Sequence, residues 1–232
     1  MRPEETIVYA AGVKVLEDAA LYELARKKVS AERRERAGRF AFEKDRRLCI
    51  GAGLLLNKAL SDAGVEPERA ETVTDERGKP YLKGGGVFFS LSHSGETVLC
   101  AVSPWELGCD IEELGDADIA IAKRFFHENE CRRIFSPETA EKRRELFFRY
   151  WTLKESFLKA TGEGLRLPLN SFEISLEGNC IRVLQGYDGR DYSFAEFGEI
   201  PGYRAAVCTA KKDCVSELRQ IDLWDCLKQG QN

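Results

Sequence analysis

Histidine is scarce in this 232-residue chain: only His93 and His127 occur, which gives little support to a metal held by the two together. None of the eight cysteines forms a Cys-x-x-Cys pair. Zinc sites and small disulfide scaffolds favour clustered spacing in shorter chains, so neither framework fits. Cys100, Cys109 and Cys208 lie in apolar segments, where a free cysteine behaves as a small hydrophobe. Reduced thiols and a cytoplasmic setting are therefore expected. No apolar run is long enough to span a bilayer. Met1-Arg2-Pro3-Glu4-Glu5 carries acid and lacks the apolar core of a secretion signal. Excess positive charge is missing too. The net charge is −4, so neither nucleic acid nor a membrane is an expected partner. Gly84-Gly85-Gly86 is not followed by Gly-Lys-Ser/Thr, so it is not a phosphate loop, and no kinase signature is present.

What is present is ordinary for a globular protein, with 43% hydrophobic and 32% charged residues. The length suits one large domain or two small ones. Thr6–Leu16 reads as a strand and Glu17–Val29 as a helix, with Ser30 placed to cap another. The Arg33, Arg34, Arg36, Arg39 run reads as a solvated helix face. Phe42–Ala63 is helical, and Gly64 stops it. A short strand at Glu71–Thr74 precedes turn chemistry at Asp75–Pro80. Val87–Ser92 and Thr97–Val102 form a hairpin turned by His93-Ser94-Gly95-Glu96. Pro104 marks a boundary. After it come a strand bearing Asp110 and Glu112, and a helical stretch from Asp116 to Phe126. A long helix is expected from Ser136 (N-cap) and Pro137 to about Ala160, ending at Gly162. Strands follow at Ser171–Leu176, Ile181–Gln185, Tyr192–Phe197 and Arg204–Thr209, then a short helix and tail from Asp222 to Asn232. Leu99-Cys100-Ala101-Val102 is echoed by Ala206-Val207-Cys208-Thr209. The echo suggests two similar α+β lobes, 1–104 and 105–232.

Two stretches carry chemistry. In a strand, residues at i and i+2 share a face, so Asp110 and Glu112 project together while Ile111 faces the core. Trp151-Thr152-Leu153-Lys154-Glu155-Ser156-Phe157-Leu158-Lys159 adds a third carboxylate, Glu155, with Lys154 and Lys159 on either side. Three carboxylates beside two ammonium groups make a place for a hard cation and a polyphosphate. The plainer alternatives are a solvated sheet edge for Asp110 and Glu112, and a surface helix pair for Glu155 and Lys159 worth roughly a few tenths of a kcal/mol. The apolar run leading into Asp110 and the aromatic flanks of Glu155 argue against both. His93, between Ser92 and Ser94, is placed to reach a ligand phosphate. His127 reads as a helix-start residue.

Phe89-Ser90-Leu91-Ser92-His93-Ser94, Gly108-Cys109-Asp110-Ile111-Glu112 and the Trp151–Lys159 stretch, with Asp45-Arg46 and Gly78-Lys79-Pro80 upstream, resemble the 4′-phosphopantetheinyl transferases of the surfactin-synthetase-activating (Sfp) type. The pieces stand in that family's order. The one departure is Cys109, where the family has a branched aliphatic. The resemblance implies a monomer of two pseudo-symmetric α+β lobes with the active site in the cleft between them. The lobe 1–104 would contact coenzyme A, and 105–232 would hold the metal and dock the carrier protein. Asp110, Glu112 and Glu155 would bind magnesium, with manganese as the alternative. Arg46, Lys79, Pro80, Ser92, His93, Lys154 and Lys159 would surround coenzyme A, with Arg39 and Lys44 in a looser register. The implied reaction moves the 4′-phosphopantetheine arm of coenzyme A onto a serine of an acyl or peptidyl carrier protein and releases adenosine 3′,5′-bisphosphate. Glu155 or Glu112 would accept the serine proton, and Lys159 would steady phosphate charge. Carriers of this class serve fatty acid, polyketide and nonribosomal peptide biosynthesis. Their acidic helix needs a basic patch. Lys123-Arg124 and Arg132-Arg133 around Phe125-Phe126 are favoured over the Arg33–Arg39 run. The rival readings are another magnesium-dependent phosphoryl-transfer or nucleotide-hydrolysing enzyme, and a non-catalytic coenzyme A-binding module.

Overall fold

A computed structural model describes residues 5–178, 180–212, 214 and 216–228. The chain is α+β. It begins with β1 (Thr6–Gly12), α1 (Ala19–Lys28), α2 (Ala31–Gly38) and α3 (Glu43–Asp62), followed by β2 (Thr72–Thr74), β3 (Pro80–Leu82), β4 (Phe88–Ser94) and β5 (Thr97–Ser103). Then come β6 (Leu107–Glu113), α4 (Ile121–Phe125), α5 (Glu128–Phe135) and α6 (Ala140–Thr161). The remainder is β7 (Glu173–Glu177), β8 (Cys180–Leu184), β9 (Ser193–Phe197), β10 (Tyr203–Thr209), β11 (Ser216–Gln220) and α7 (Leu223–Lys228). No helix among the described residues is long and apolar enough to cross a membrane. Residues 1–4 of the N-terminal stretch and 229–232 of the expected C-terminal tail lie outside the described residues.

The chain forms two compact units. The first comprises Met1–Val73, Pro80–Pro104 and Ser216–Asn232; the second comprises Thr74–Lys79 and Trp105–Val215. The expected division into 1–104 and 105–232 is therefore corrected at the C-terminal end. The reason is β11, a strand not anticipated from the sequence. It pairs in parallel with β1, in register from Thr6 opposite Ser216 to Ala10 opposite Gln220.

In the first unit the sheet order is β11-β1-β5-β4, with β5 antiparallel to both neighbours. Every residue of β5 is buried. The long helix α3 packs Ile50, Leu54 and Leu55 into one core with Tyr9, Val98 and Cys100. Gly64, at φ 75°, ends this region as expected, because a left-handed residue costs glycine no Cβ clash. Ser30 caps α2 by accepting from the Arg33 amide. The hairpin turn is narrower than expected, because β4 continues through Ser94 and leaves Gly95 and Glu96 to turn.

The second unit has an antiparallel sheet, β6-β10-β9, and a separate β7–β8 hairpin. Helix α6 supplies Phe147, Tyr150, Leu153, Phe157 and Leu158 to its core. Steps of three to four residues from Phe147 to Phe157 put these on one stripe, which Leu158 widens. The helix starts later than expected. Ser136 closes α5 instead, its hydroxyl donating to the Arg133 carbonyl at 2.9 Å. Thr139 is the N-cap of α6 and accepts from the Lys142 amide at 3.3 Å. At the other end Gly162 adopts φ 75°, and its amide returns to the Leu158 carbonyl. The expected helix from Asp116 is also shorter, beginning at Ile121.

Helix α6 lies unusually close to β6. A methyl group on Gly108 would overlap the backbone oxygen of Ser156, the backbone nitrogen of Ala160 and the Lys159 Cβ. These are mostly backbone atoms, so only a shift of the helix makes room. Gly108→Ala is expected to destabilise the protein by about 1–3 kcal/mol, the usual cost of overpacking. Chemical denaturation measures this, and a variant as stable as the parent would show that α6 is not held at this distance.

Candidate active site

The packing of α6 on β6 brings Asp110, Glu155 and Lys159 of the second unit together, and Glu112 stands two residues along β6 from Asp110. Asp110 and Glu112 occupy alternate positions of β6, so both point to the face that α6 covers. Asp110 is buried, with 4% exposed, and Glu112 is half-buried. Glu112 stands opposite Arg204, and Asp110 opposite Ala206. On α6, Glu155 and Lys159 are four residues apart and share a face.

The alternative of a surface pair between Glu155 and Lys159, against which the aromatic flanks argued, does not hold. Lys159 Nζ donates to Asp110 Oδ1 at 2.8 Å and to the Cys109 carbonyl at 3.0 Å. It therefore ties the helix to the strand. Burial works against the Lys159 charge, but Asp110 outweighs it and holds the ammonium above the ordinary lysine range. Glu155 is pushed the other way. Burial raises its pKa first, the neighbouring Asp110 charge raises it further, and Lys159 only partly offsets both. Two acids and one base thus share a poorly solvated corner. Among the described residues, no group of three or more His, Cys, Asp or Glu side chains is disposed to hold a metal.

Lys154 corrects the sequence reading. Its ammonium does not lie beside the carboxylates. Both Lys154 and Glu130 have fully buried side chains, 2.6 Å apart. Lys154 also donates to the Phe172 carbonyl at 3.0 Å and sits 4.0 Å from the Phe172 ring centre. Glu130 accepts from the Ile174 amide at 2.7 Å and from the His127 amide at 3.0 Å. The cause is helical periodicity: consecutive residues are about 100° apart, so the turn that aims Glu155 at β6 aims Lys154 into the core. Burial lowers the Lys154 pKa to about 8 and raises that of Glu130. Such a pair joins α5, α6 and β7, and removing one partner alone typically costs about 3–5 kcal/mol. His127 acts as the helix-start residue expected, in a capping box with Glu130.

Lys79 belongs to the second unit through the Asp75–Lys79 turn. Its backbone amide donates to Asp75 Oδ1 at 2.8 Å, and its Nζ donates to the Ala160 carbonyl at 3.0 Å, near the end of α6. Burial lowers its pKa, with Glu106 and Asp75 opposing. The same end of α6 carries Glu163, which pairs with Arg77 and accepts from the Tyr187 hydroxyl. Nothing in the sequence pattern signalled Glu130, Glu163, Arg77 or Tyr187, because their partners are far away along the chain.

The other candidates lie in the first unit. Arg46 is half-buried and donates from Nε to the Phe40 carbonyl at 2.9 Å. Ser92 is buried and His93 exposed, on opposite faces of β4. Pro80 is exposed at the start of β3. Arg39 pairs with Glu35 at 2.6 Å, and Lys44 lies 3.9 Å from Glu96. Of the two basic runs, Arg34 is committed to the end of α1, its Nη1 donating to the Val29 carbonyl. Around α4, Phe126 is core, whereas Ile121 and Phe125 are exposed, with Lys123 and Arg124 beside them. Arg132 pairs with Glu128, and Arg133 donates to the Leu176 carbonyl.

The 4′-phosphopantetheinyl transferase superfamily model matches residues 106–208, which span this acidic corner. A model of the 4′-phosphopantetheinyl transferase N-terminal region matches residues 18–105. A 4′-phosphopantetheinyl transferase of Bacillus subtilis is 35% identical over 188 residues, covering 80% of this chain and 84% of that protein. The chain belongs to the 4′-phosphopantetheinyl transferase superfamily. The 4′-phosphopantetheinyl transferase psf-1 of Bacillus pumilus is 36% identical over 212 residues, 88% of each chain. The 4′-phosphopantetheinyl transferase Sfp of Bacillus subtilis strain 168 is 30% identical over 202 residues, covering 86% of this chain and 90% of that one. Within the matched region the candidate residues are divided by their surroundings: Asp110, Glu155 and Lys159 interact with one another, while Lys154 is half of a core ion pair.

The Glu155 carboxyl offers a direct check on this arrangement. Followed by carboxyl NMR, it is expected to titrate above the usual glutamate value of about 4.3. Asp110→Asn should lower that midpoint, because a repelling charge is gone, and Lys159→Met should raise it, because an attracting one is gone. A midpoint indifferent to both changes would mean that the three groups do not interact.

Proposed function

We propose that this chain transfers the 4′-phosphopantetheine arm of coenzyme A to a serine of an acyl or peptidyl carrier protein, converting it from the apo to the holo form. The observation that carries the reading is the Asp110–Lys159 pair beside Glu155, within the region 106–208 that matches the superfamily model. In the reaction the serine Oγ attacks the phosphorus next to the pantetheine arm. The pyrophosphate P–O bond breaks, and adenosine 3′,5′-bisphosphate leaves. The serine proton goes to a carboxylate, Glu155 or Glu112, directly or through water. Burial and the Asp110 charge raise the pKa of Glu155, which strengthens its carboxylate as a proton acceptor. Lys159 keeps its charge because of Asp110, so it remains a cation toward phosphate oxygens. Lys79 is assigned to the same phosphates, and Arg46, Pro80, Ser92 and His93 to coenzyme A on the motif match alone. Lys154 is left out, since its ammonium has no solvent-facing surface.

Although the three side chains are not disposed as a closed metal site, their donor chemistry suits a hard divalent cation. Asp110, Glu112 and Glu155 offer carboxylate oxygens only, and two of them repel each other in a buried corner that added positive charge would relieve. Magnesium or manganese held there would neutralise charge on the phosphate oxygens.

The test is incubation with coenzyme A and an apo carrier protein, read by mass spectrometry. The carrier should gain one phosphopantetheinyl group. Asp110→Ala and Glu155→Ala should each fold and lose roughly 10²–10³ in turnover, the usual cost of removing an electrostatic stabiliser. Turnover of a nucleotide without carrier, or unaltered transfer by both variants, would overturn the reading in favour of a different phosphoryl-transfer enzyme or a binding module.

For the carrier, we assign docking to α4, where Ile121 and Phe125 are exposed and Lys123 and Arg124 supply positive charge on a chain of net charge −4. An apolar anchor with steering charge suits a transient interface. Charge reversal of Lys123 and Arg124 should raise the KM for carrier and leave that for coenzyme A unchanged. A larger effect from reversing Arg33 and Arg34 would move the docking surface to the first unit.

A further inference from the structure

The second unit contains a pocket of about 510 Å³ lined by residues that have no role in the transfer reaction proposed above. Residues of α6 form one wall: Lys142, Glu145, Leu146 and Arg149. The ends of β9 and β10 form the other, with Glu196, Phe197, Gly198 and Arg204, and Pro137 closes the rim. On α6 these positions lie well round the helix from Glu155.

The charges in the pocket are not balanced. Arg149 and Glu196 satisfy each other as a fork: Nε donates at 2.8 and 3.0 Å to the two carboxylate oxygens, and Nη2 donates at 2.7 Å. A bidentate pair of this kind is neutral as a unit and rigid. Among the described residues, neither Lys142 nor Arg204 lies within ion-pair distance of a carboxylate; Arg204 makes only a long contact of 3.4 Å to the Tyr203 carbonyl. Of the acids that line the pocket only Glu145 is left to set against them; Glu112, opposite Arg204 on β6, is not part of the lining. The pocket therefore keeps an excess of positive charge over an apolar floor of Leu146 and Phe197. At Gly198 nothing lies within 4 Å of where a Cβ would be, so the backbone there is open to a ligand. The volume is in the usual range for small-molecule sites, which combine apolar walls with a few placed polar groups.

We propose that this pocket binds an amphiphilic organic anion, with one carboxylate against Arg204 and Lys142 and an apolar body against Leu146 and Phe197. The carboxylate gains two charge-assisted partners without displacing the Arg149–Glu196 fork. The apolar body replaces water over the two hydrophobic side chains.

The experiment is an amide NMR titration of the full chain with octanoate, with octanol and inorganic phosphate as the two half-ligands. Octanoate should give saturable shifts at 142–149 and 196–204. Octanol lacks the charge and phosphate lacks the apolar body, so each should bind at least about tenfold more weakly, as expected when a charge-assisted bond or a buried side-chain contact is lost. Arg204→Ala should weaken octanoate by about tenfold. If that variant does not fold, the exposed Lys142→Ala, which removes no core contact, should still weaken it severalfold. Shifts that do not saturate, equal binding of octanol or phosphate, or unchanged affinity in both variants would overturn the proposal.

Discussion

The second unit depends on how closely α6 lies against β6. Only a glycine at position 108 allows it, because any Cβ there meets helix backbone. The approach brings the last turns of α6 within reach of the strand, and the Lys159–Asp110 ion pair closes the gap. Once that distance is set, Glu155 must share the corner with Asp110, and its raised pKa follows from burial and like charge. The chemistry of this unit is a consequence of helix-on-sheet packing.

A second constraint holds the helix from behind. Lys154 and Glu130 form a fully buried ion pair, with Glu130 also binding the amides of His127 and Ile174. The pair is costly to desolvate and adds little net stability, but each charge requires the other. It fixes the rotation of α6 about its own axis. One residue further along, that rotation presents Glu155 to the strand. The cap at Thr139 and the left-handed Gly162 fix where the helix starts and stops. Together they hold a charged site on rigid elements, which suits electrostatic catalysis because little reorganisation remains when charge develops.

The first unit illustrates how far local pattern reaches. Its helices and the β4–β5 hairpin follow from periodicity and turn chemistry, to within a few residues. β11 does not, because a five-residue strand whose one apolar residue is Leu218 has no distinctive signal until β1 offers it an edge. The same applies to the start of α6. Ser136-Pro137 is a sound helix start in isolation, but α5 runs up to Phe135 and takes Ser136 as its end. Two legitimate caps compete within four residues, and the preceding helix decides between them.

The sequence by itself determined the pieces: an acidic strand at Asp110 and Glu112, a helix bearing Glu155 and Lys159, a glycine at 108, and motifs in an order that names the superfamily. These are short-range features, set by a period of two or of 3.6 residues, and they need no knowledge of partners. Tertiary structure decided the pairings. It gave Lys159 to Asp110 instead of Glu155, sent Lys154 into the core to meet Glu130, and returned β11 to the first unit. Each of those choices depends on which side chain loses its water and which counter-charge stands nearest once it has, and both are properties of packed elements that are distant along the chain.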